Sequence, residues 1–411
     1  MSALKYWIWL SSLSGIGPVT AARLLDRFGS PYEVFNADAK EYMEVEGIRS
    51  SDIAKLAEKD VGAANKILAS CAGSGIRILT FQDAEYPDRL RNIYDPPIVL
   101  YIRGALPIID EEAVVGVVGT RDCTPYGIGA ADSIGYKLAR SGLVVSTGLA
   151  RGIDSAATRG ALRGGGRVIG LVGAGPDIVY PPENRQLFDD VASSGAIVSE
   201  YPPGTPAVRS HFPMRNRIIS GISLGVAVVE APKRSGALIT ASRALEQGRD
   251  VFTMPGNVDA RSCEGSNALL REGAIPILSG EDIVSEYADL FPDKINQAGE
   301  ANTAPHANEP PRPDSTPRQK VAAAGDGATK KVIDNALTVD YIDVDKIASA
   351  LTGDEKAVAE VIGAEIRQID EIIVMSGLSA QKVQVALTML EIKGYAEQAA
   401  GKRYRLTESK T

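Results

Sequence analysis

Between about Ala113 and Leu278 the chain repeats one pattern that leaves few folds open. Short apolar runs rich in β-branched residues, AVVGVVG, LVVST, RVIGLVG, AIVSE, LGVAVVE and DVFTM, alternate with Ala- and Gly-rich amphipathic segments. β-Branched side chains suit a pleated surface and lose χ1 freedom in a helix, so the runs read as strands. The segments between them suit helical crossovers, which makes β-α units. A strand apolar at every residue, rather than at every second one, is buried on both faces, as in a parallel sheet covered by helices. The expectation is an α/β protein built on a doubly wound parallel sheet, with ligands at the carboxyl ends of its strands.

That region is less than half of the 411 residues, and a prior of roughly 150 residues per domain suggests two or three domains. Upstream, LSGIGPVTAARLLDRFGS from Leu13 gives a Gly-x-Gly turn, Pro18 in a first helical turn, and apolar residues at helical spacing. It resembles a helix-hairpin-helix, and MEVEGIRSSDIAKLAE from Met43 is a weaker echo. Glycines in such a turn let backbone N–H groups approach a phosphate, and they equally suit a plain tight turn in a small helical bundle. Downstream, from about Asn296, the chain is poor in large apolar residues and rich in Pro, Ala and polar side chains, the composition of a flexible linker. Beyond it, QIDEIIVMSGLSAQKVQVALTMLEIKGYAEQAAGKRYRL reads as helix, short Gly turn, helix and two-stranded ribbon, which looks like a winged helix-turn-helix. Its second helix carries only Lys382 and Lys393, so duplex reading competes there with a protein-interaction role. The boundaries drawn are 1–72 for the helical domain, 73–290 for the central domain, 291–332 for the linker and 333–411 for the winged-helix-like domain.

Several function classes lose their footing. No apolar run approaches the roughly 18 residues of a membrane span. The N-terminal YWIWL is too short for a signal-peptide core and lacks a cleavage pattern, so a buried helix in a cytoplasmic protein is expected. Cys71, Cys123 and Cys263 are scattered, odd in number and outside any C-x-x-C spacing, which gives neither a disulfide framework nor a zinc knuckle. With His211 and His306 the only histidines, a His-based metal cluster is not expected. No G-x-x-x-x-G-K-[ST] occurs, and the nearest approach to G-x-G-x-x-G, GIGAAD from Gly127, has Asp132 in place of the third glycine. ATP hydrolysis and dinucleotide binding therefore lack their fingerprints, and no cofactor is expected.

Small and polar residues follow every strand of the central domain. Gly119, Thr120 and Arg121 follow the first run; GLARGID, with Gly148, Arg151, Gly152 and Asp154, follows the second; APKRSGALIT, with Ser235, Gly236 and Thr240, follows LGVAVVE. N–H groups at helix starts beside guanidinium groups make an anion site, which points to a phosphate-bearing ligand. The stretch VRSHFPMRNRIIS, from Val208, follows the extended, Pro-punctuated loop SEYPPGTPAV. Between Tyr201 and Val229 it places Arg209, Arg215 and Arg217 and no acid, in a chain of formal net charge −8. Screening confines charge effects to about 8–10 Å, so a local positive lip still attracts phosphates. Phe212 beside it offers either a face on which a base stacks, at roughly 1–3 kcal/mol per base, or an anchor that pins the loop to the core. Arg215 and Arg217 either both face outward or include an internal ion-pair partner, and Asn216 equally suits an N-cap. One apparent catalytic motif is a decoy. Gly221-Ile222-Ser223-Leu224-Gly225 matches G-x-S-x-G, but a helix precedes it and a strand follows, the reverse of a nucleophile elbow.

GTR at Gly119, YG at Tyr126, VVSTGLARGIDSAATRGAL from Val144, YPPEN at Tyr180, VSEYPPG at Val198, FPMRNRIISG at Phe212, VVEAPKRSGALITA at Val228 and MPG at Met254 resemble, in this order, the DprA (Smf) family. The resemblance covers about Phe81 to Ile283, and the flanking helix-hairpin-helix (SAM-like) and winged-helix-like segments are accessory domains such proteins often carry. It implies an extended Rossmann-like central domain in a DNA-processing protein of bacterial natural transformation. Such a protein binds incoming single-stranded DNA, protects it from nucleases, helps load the RecA recombinase, forms a homodimer and performs no catalysis. Carried over by motif, Gly119, Thr120, Arg121, Gly148, Arg151, Gly152, Asp154, Arg209, Phe212, Arg215, Asn216, Arg217, Ser235, Gly236 and Thr240 would surround the strand. Thr120 stands where the family commonly has Ser, and His211 precedes Phe-Pro without an adjoining Lys. Two rivals remain. One is a nucleotide-hydrolysing Rossmann-like enzyme, since VVEAPKRSGALITASRALE, with Glu230 and Glu246, distantly resembles P-G-G-x-G-T-x-x-E without its glycine pair. The other is a duplex-DNA-binding regulator acting through the C-terminal domain.

Overall fold

The YWIWL segment forms helix α1 (Leu4–Ser12), on which Trp7, Ile8, Trp9 and Leu10 are all buried. It anchors a helical domain of α2 (Pro18–Phe28), α3 (Pro31–Asn36), α4 (Ala39–Met43), α5 (Ser50–Leu56) and α6 (Gly62–Ser74). The computed structural model describes residues 3–296, 351, 353–362, 367–393, 395–399 and 403–406. The chain divides into two compact units, Met1–Ala304 and Pro305–Thr411.

The two Gly-turn segments of the helical domain are a structural repeat. Gly15 and Gly47 both have left-handed φ, +87° and +73°, and the N–H groups of Ile16 and Ile48 close equivalent turns on Leu13 O and Val45 O. Each repeat lends a cation to the other's turn. Arg23 of α2 donates to Glu46 O at 2.9 Å, and Lys55 of α5 donates to Ser14 O. Satisfying these turn carbonyls ties the repeats together as one body.

The central domain holds a nine-stranded sheet, ordered β1-β2-β6-β5-β4-β3-β7-β8-β9. The strands are β1 (Arg77–Thr80), β2 (Val99–Gly104), β3 (Val114–Val118), β4 (Val144–Thr147), β5 (Val168–Leu171), β6 (Ala196–Ser199), β7 (Gly225–Val228), β8 (Asp250–Thr253) and β9 (Ile275–Pro276), with the short helices α7 (Asp88–Arg91) and α13 (Glu264–Arg271) after β1 and β8. From β6 to β9 all pairs are parallel, whereas β2 joins β6 and β1 joins β2 antiparallel. The six apolar runs are β3 to β8. Strands β1, β2 and β9 lie outside that pattern. β2 is a bridge between cores: Val99 and Tyr101 pack with the N-terminal helices, while Leu100 and Ile102 pack under the sheet.

Side chains alternate across β3. Val115 and Val117 enter a core covered by α8 (Pro125–Arg140), α9 (Ile153–Arg163), α10 (Arg185–Ser194) and α14 (Gly280–Tyr287). Val114 and Val118 enter the opposite core, covered by α11 (His211–Ile222) and α12 (Gly236–Glu246). Both faces are buried, which is why the runs carry no polar alternation. The small residues between strands also find a use: a Cβ on Gly160 of α9 would overlap the Asp132 carbonyl of α8, so the two helices pack backbone to backbone. Among the described residues no helix is long and apolar enough to cross a membrane.

The body runs past the expected start of the linker at residue 291. Ile295 is buried in the core, and Asn296 N donates to Ser141 O at 3.0 Å. The rest of that expected linker, 297–332, lies outside the described residues. In the second unit, α15 (Asp354–Ile362), α16 (Ile369–Ser376) and α17 (Ala380–Ile392) pack with the antiparallel strands β10 (Arg367–Gln368), β12 (Arg403–Leu406) and β11 (Ala396–Ala399) around Val358, Ile372, Val383, Leu387 and Leu390. Gly377, at φ +65°, makes the turn between α16 and α17. This is helix, turn, helix and wing.

Candidate nucleic-acid interface

Strand order reverses at β3. From there the chain builds outward through β4, β5 and β6, then returns to place β7 on the other side. Such a switch point splays the loops above the carboxyl ends of the two central strands and leaves a crevice. A cavity of about 710 Å³ lies there, with Gly119, Thr120 and Arg121 following β3, the first turns of α11 on one side, and the Arg234-to-Thr240 segment on the other.

Buried polar groups hold the loops around it. The GLARGID loop after β4 folds back on Asp154, whose Oδ2 accepts from Gly148 N at 3.1 Å and Ala150 N at 3.4 Å. Asn184, from the YPPEN segment, donates to Leu149 O at 3.1 Å and to Ser155 Oγ at 2.9 Å, which itself donates to Ala150 O. Gly152 takes φ +74° with the Thr120 and Arg121 carbonyls against it, so a side chain there meets both the wrong φ and a wall. Leu149 holds φ +52°, strain that the loop's hydrogen bonds sustain. Burial pushes the Asp154 carboxyl up, against the opposing pull of Arg215 and the backbone N–H groups of Ala150, Gly148 and Gly119.

The three polar residues in the middle of α11 play three different parts. Arg215 is buried beneath the cavity and donates to Gly148 O at 2.8 Å and to Leu171 O, so it pins α11 to the ends of β4 and β5. Burial lowers its guanidinium to about 10, which still leaves it charged at neutral pH. Asn216 lies inside the helix, not at its N-cap, which is Ser210. Its Nδ2 donates to Gly236 O at 3.2 Å, and its Oδ1 accepts from Arg215 Nε at 3.3 Å, which joins α11 to the start of α12. Arg217 is the correction. It is 1% exposed, lies away from the cavity, and pairs with Asp95 at 3.1 Å and Glu200 at 2.7 Å. Burial works against its charge, but the Glu200 and Asp95 carboxylates outweigh that and hold the guanidinium above its usual range. It is the internal ion-pair partner, and no strand can reach it.

The lip of the cavity carries the accessible charge. Arg121, Arg209 and Arg234 line it, are exposed, and have no ion-pair partner among the described residues. With Arg215 they make four arginines against two carboxylates, Asp122 and Asp154, so the lining is cationic on balance. Phe212 is partly buried between Tyr180, at 5.4 Å between ring centroids and 37° between planes, and the Arg121 guanidinium, 5.3 Å from its ring. A small adjoining crevice is lined by Gly148 and Arg151 with Tyr180 and Phe212. Arg151 there is bound to Glu183, half exposed. Of the residues singled out in the sequence, the cavity and crevice gather all but Gly152, which shapes the loop, and Arg217. Among the lining residues that the motif carry-over misses are Arg234 and Tyr180. Both sit inside quoted motifs, and the signal was the position of Arg234 just before the start of α12.

The comparisons with known proteins agree with this layout. The family model DNA recombination-mediator protein A matches residues 77–288, the DprA winged helix domain matches 344–402, and the SAM-like helix-hairpin-helix tandem matches 10–65. The chain belongs to the DprA/Smf family of DNA-processing proteins. It is 35% identical to Protein Smf of Synechocystis over 98% of this chain and 99% of that protein. It is 42% identical to DNA processing protein DprA of Bacillus subtilis over 54% of this chain and 75% of that one. The X-ray structure of DNA processing protein A from Streptococcus pneumoniae superposes with a TM-score of 0.61 at 33% identity, covering 70% of this chain and 99% of that one.

Against this DprA/Smf frame, the residues of the rival enzymes fall in the wrong places. Ser223 of the apparent elbow is wholly buried, with Oγ donating to Ile219 O at 2.7 Å and 2.8 Å from Ser146 Oγ. Glu230 is buried outside the cavity lining and accepts from Thr124 N and Oγ1, both at 3.0 Å. Glu246 is on the last turn of α12, exposed and paired with Arg243. Of the two carboxylates in the cavity lining, Asp122 and Asp154, the second is buried and its Oδ2 already accepts from Gly148 N and Ala150 N. Among the described residues no cluster of His, Cys, Asp and Glu could hold a metal ion.

Proposed function

We propose that the cavity between α11 and α12 binds single-stranded DNA without chemically altering it. The observation that carries this reading is the trio of exposed arginines, Arg121, Arg209 and Arg234, set around the partly exposed Phe212 ring at a sheet switch point. Cations neutralise successive phosphates while a ring offers an unpaired base a stacking face, and no dense set of base-edge donors reads sequence. A duplex keeps its base faces covered and has no use for that ring. On family membership the reading extends to protection of incoming DNA in natural transformation, to loading of the RecA recombinase, and to a homodimer whose two cavities hold one strand and gain by effective concentration.

A role for the C-terminal domain in gripping duplex DNA finds little support. Lys382 of α17 and Lys393, just past its end, are paired with Asp354 and Glu355 of α15, and the exposed side of α17 carries Val385 and Met389. The test is removal of residues 297–411. The remaining unit has its own sheet and two faces of core, and it is expected to bind oligothymidylate with the affinity of the full chain within a few-fold. Complete loss of single-strand binding would transfer the site to the C-terminal domain and overturn the reading.

A further inference from the structure

The first turn of α11 has two sides, and only one borders the cavity above. Phe212, Arg215 and Asn216 face that cavity, whereas His211 and Met214, three residues apart and so on one flank of the helix, face a second cavity of about 590 Å³. Its far wall is the glycine hairpin at Gly15 and Gly17, its floor includes Ile98 and Val99, and Tyr201 and Pro202 form its rim. The Tyr201 and His211 rings stack inside it, 3.9 Å between centroids and 12° between planes. Both walls belong to the unit Met1–Ala304, joined through β2.

The chemistry of this groove differs from that of its neighbour. It is lined by no lysine or arginine, and its one carboxylate, Glu200, is neutralised by Arg217. Cations stand behind the hairpin, where Arg49 donates to Gly15 O at 2.9 Å and Lys55 to Ser14 O. A neutral, ring-lined groove with cations at its edge does not take a phosphate into its depth. It fits a flat heterocycle whose attached phosphate stays outside. The two cavities are separated by one turn of helix, with His211 and Phe212 consecutive in the chain.

We infer that this groove is a nucleobase subsite for the same DNA strand, which leaves the central cavity over the first turn of α11 and lays a base beside the Tyr201–His211 pair. The inference rests on the single-strand reading of the central cavity. The N-terminal helical domain then takes part in single-strand binding as one wall of the groove.

The test compares the full-length wild-type chain with Tyr201→Ala and Tyr201→Phe, which leave the charge unchanged. Anisotropy titrations use oligothymidylates of roughly 6 and roughly 20 nucleotides, lengths that fill one cavity or span beyond it. All three proteins are expected to bind the short strand within about twofold, and Tyr201→Ala to bind the long strand about tenfold more weakly, the loss of one stacked base. Tyr201→Phe should match wild type. Photo-crosslinking of wild type with single 5-iododeoxyuridine substitutions should label Tyr201 from the long strand only, and Phe212 from both. Unchanged long-strand affinity in Tyr201→Ala, or crosslinks at Phe212 and Tyr180 with none at Tyr201, overturns the subsite while leaving the central cavity standing. Short-strand binding that ignores Arg121→Ala overturns the central reading, and the subsite with it.

Discussion

Two arginines that look alike in sequence, Arg121 and Arg217, should fail in opposite ways when replaced by alanine. Arg121 is exposed on the cavity lip and bears no ion pair among the described residues. Arg217 is 1% exposed and holds Asp95 and Glu200, whose side chains are 15% and 14% exposed. For a single strand the slope of log K against log salt is about −0.7 per neutralised phosphate, so the three lip arginines give about −2.1. Arg121→Ala should bring that to about −1.4 and weaken binding about tenfold at moderate salt, with little change in Tm. From 50 to 200 mM salt the affinity should then fall roughly 18-fold in wild type and roughly 7-fold in the variant. Arg217→Ala leaves two largely buried carboxylates uncompensated, a loss of about 3–5 kcal/mol. For a unit of this size that lowers Tm by on the order of 10 °C. Its folded fraction should keep the wild-type slope. Oligothymidylate titrations at four salt concentrations, paired with thermal unfolding, decide the matter. An Arg121→Ala slope equal to wild type, or an Arg217→Ala slope shallower by one phosphate, would refute the assignment of roles.

Two further predictions concern the scaffold. Gly160→Ala pushes a methyl into the Asp132 carbonyl across the α8–α9 contact and should cost about 1–3 kcal/mol. Gly129→Ala, on the exposed side of α8 with nothing within 4 Å of the new atom, should stabilise by up to about 1 kcal/mol; equal Tm shifts of one sign in the two variants would contradict the packing. Burial pushes the Cys71 thiol up to about 11, so it should resist alkylation in the folded protein at neutral pH and react at the free-thiol rate once unfolded. Mass spectrometry of the native, labelled protein checks this, and Cys71 labelling as fast as in denaturant would refute it.

The sequence by itself determined the central sheet. Residues apolar on both faces of β3 to β8 have no other stable disposition than a helix-covered parallel sheet, and the Gly and Ala between them suit the close helix packing that covers it. It also marked the carboxyl ends of those strands as the place for a ligand site, because loops after parallel strands meet at one end of the sheet, but the switch point between β3 and β7 came only with the strand order of the folded sheet. Strands β1 and β2 were not marked by that pattern: they pair antiparallel at the sheet edge, and β2 is apolar because two separate cores claim its alternate residues. The residues of HFPMRNRIIS show the limit most clearly. The sequence brings Arg215 and Arg217 to one helix two positions apart, which turns them to different sides, but it does not say which carbonyls and carboxylates wait there. Gly148 and Leu171, 67 and 44 residues away, claim Arg215, and Asp95 and Glu200 claim Arg217. The lip was left to Arg121, Arg209 and Arg234, since a guanidinium stays unpaired only where the fold brings no carboxylate to it, and tertiary contacts alone decide that.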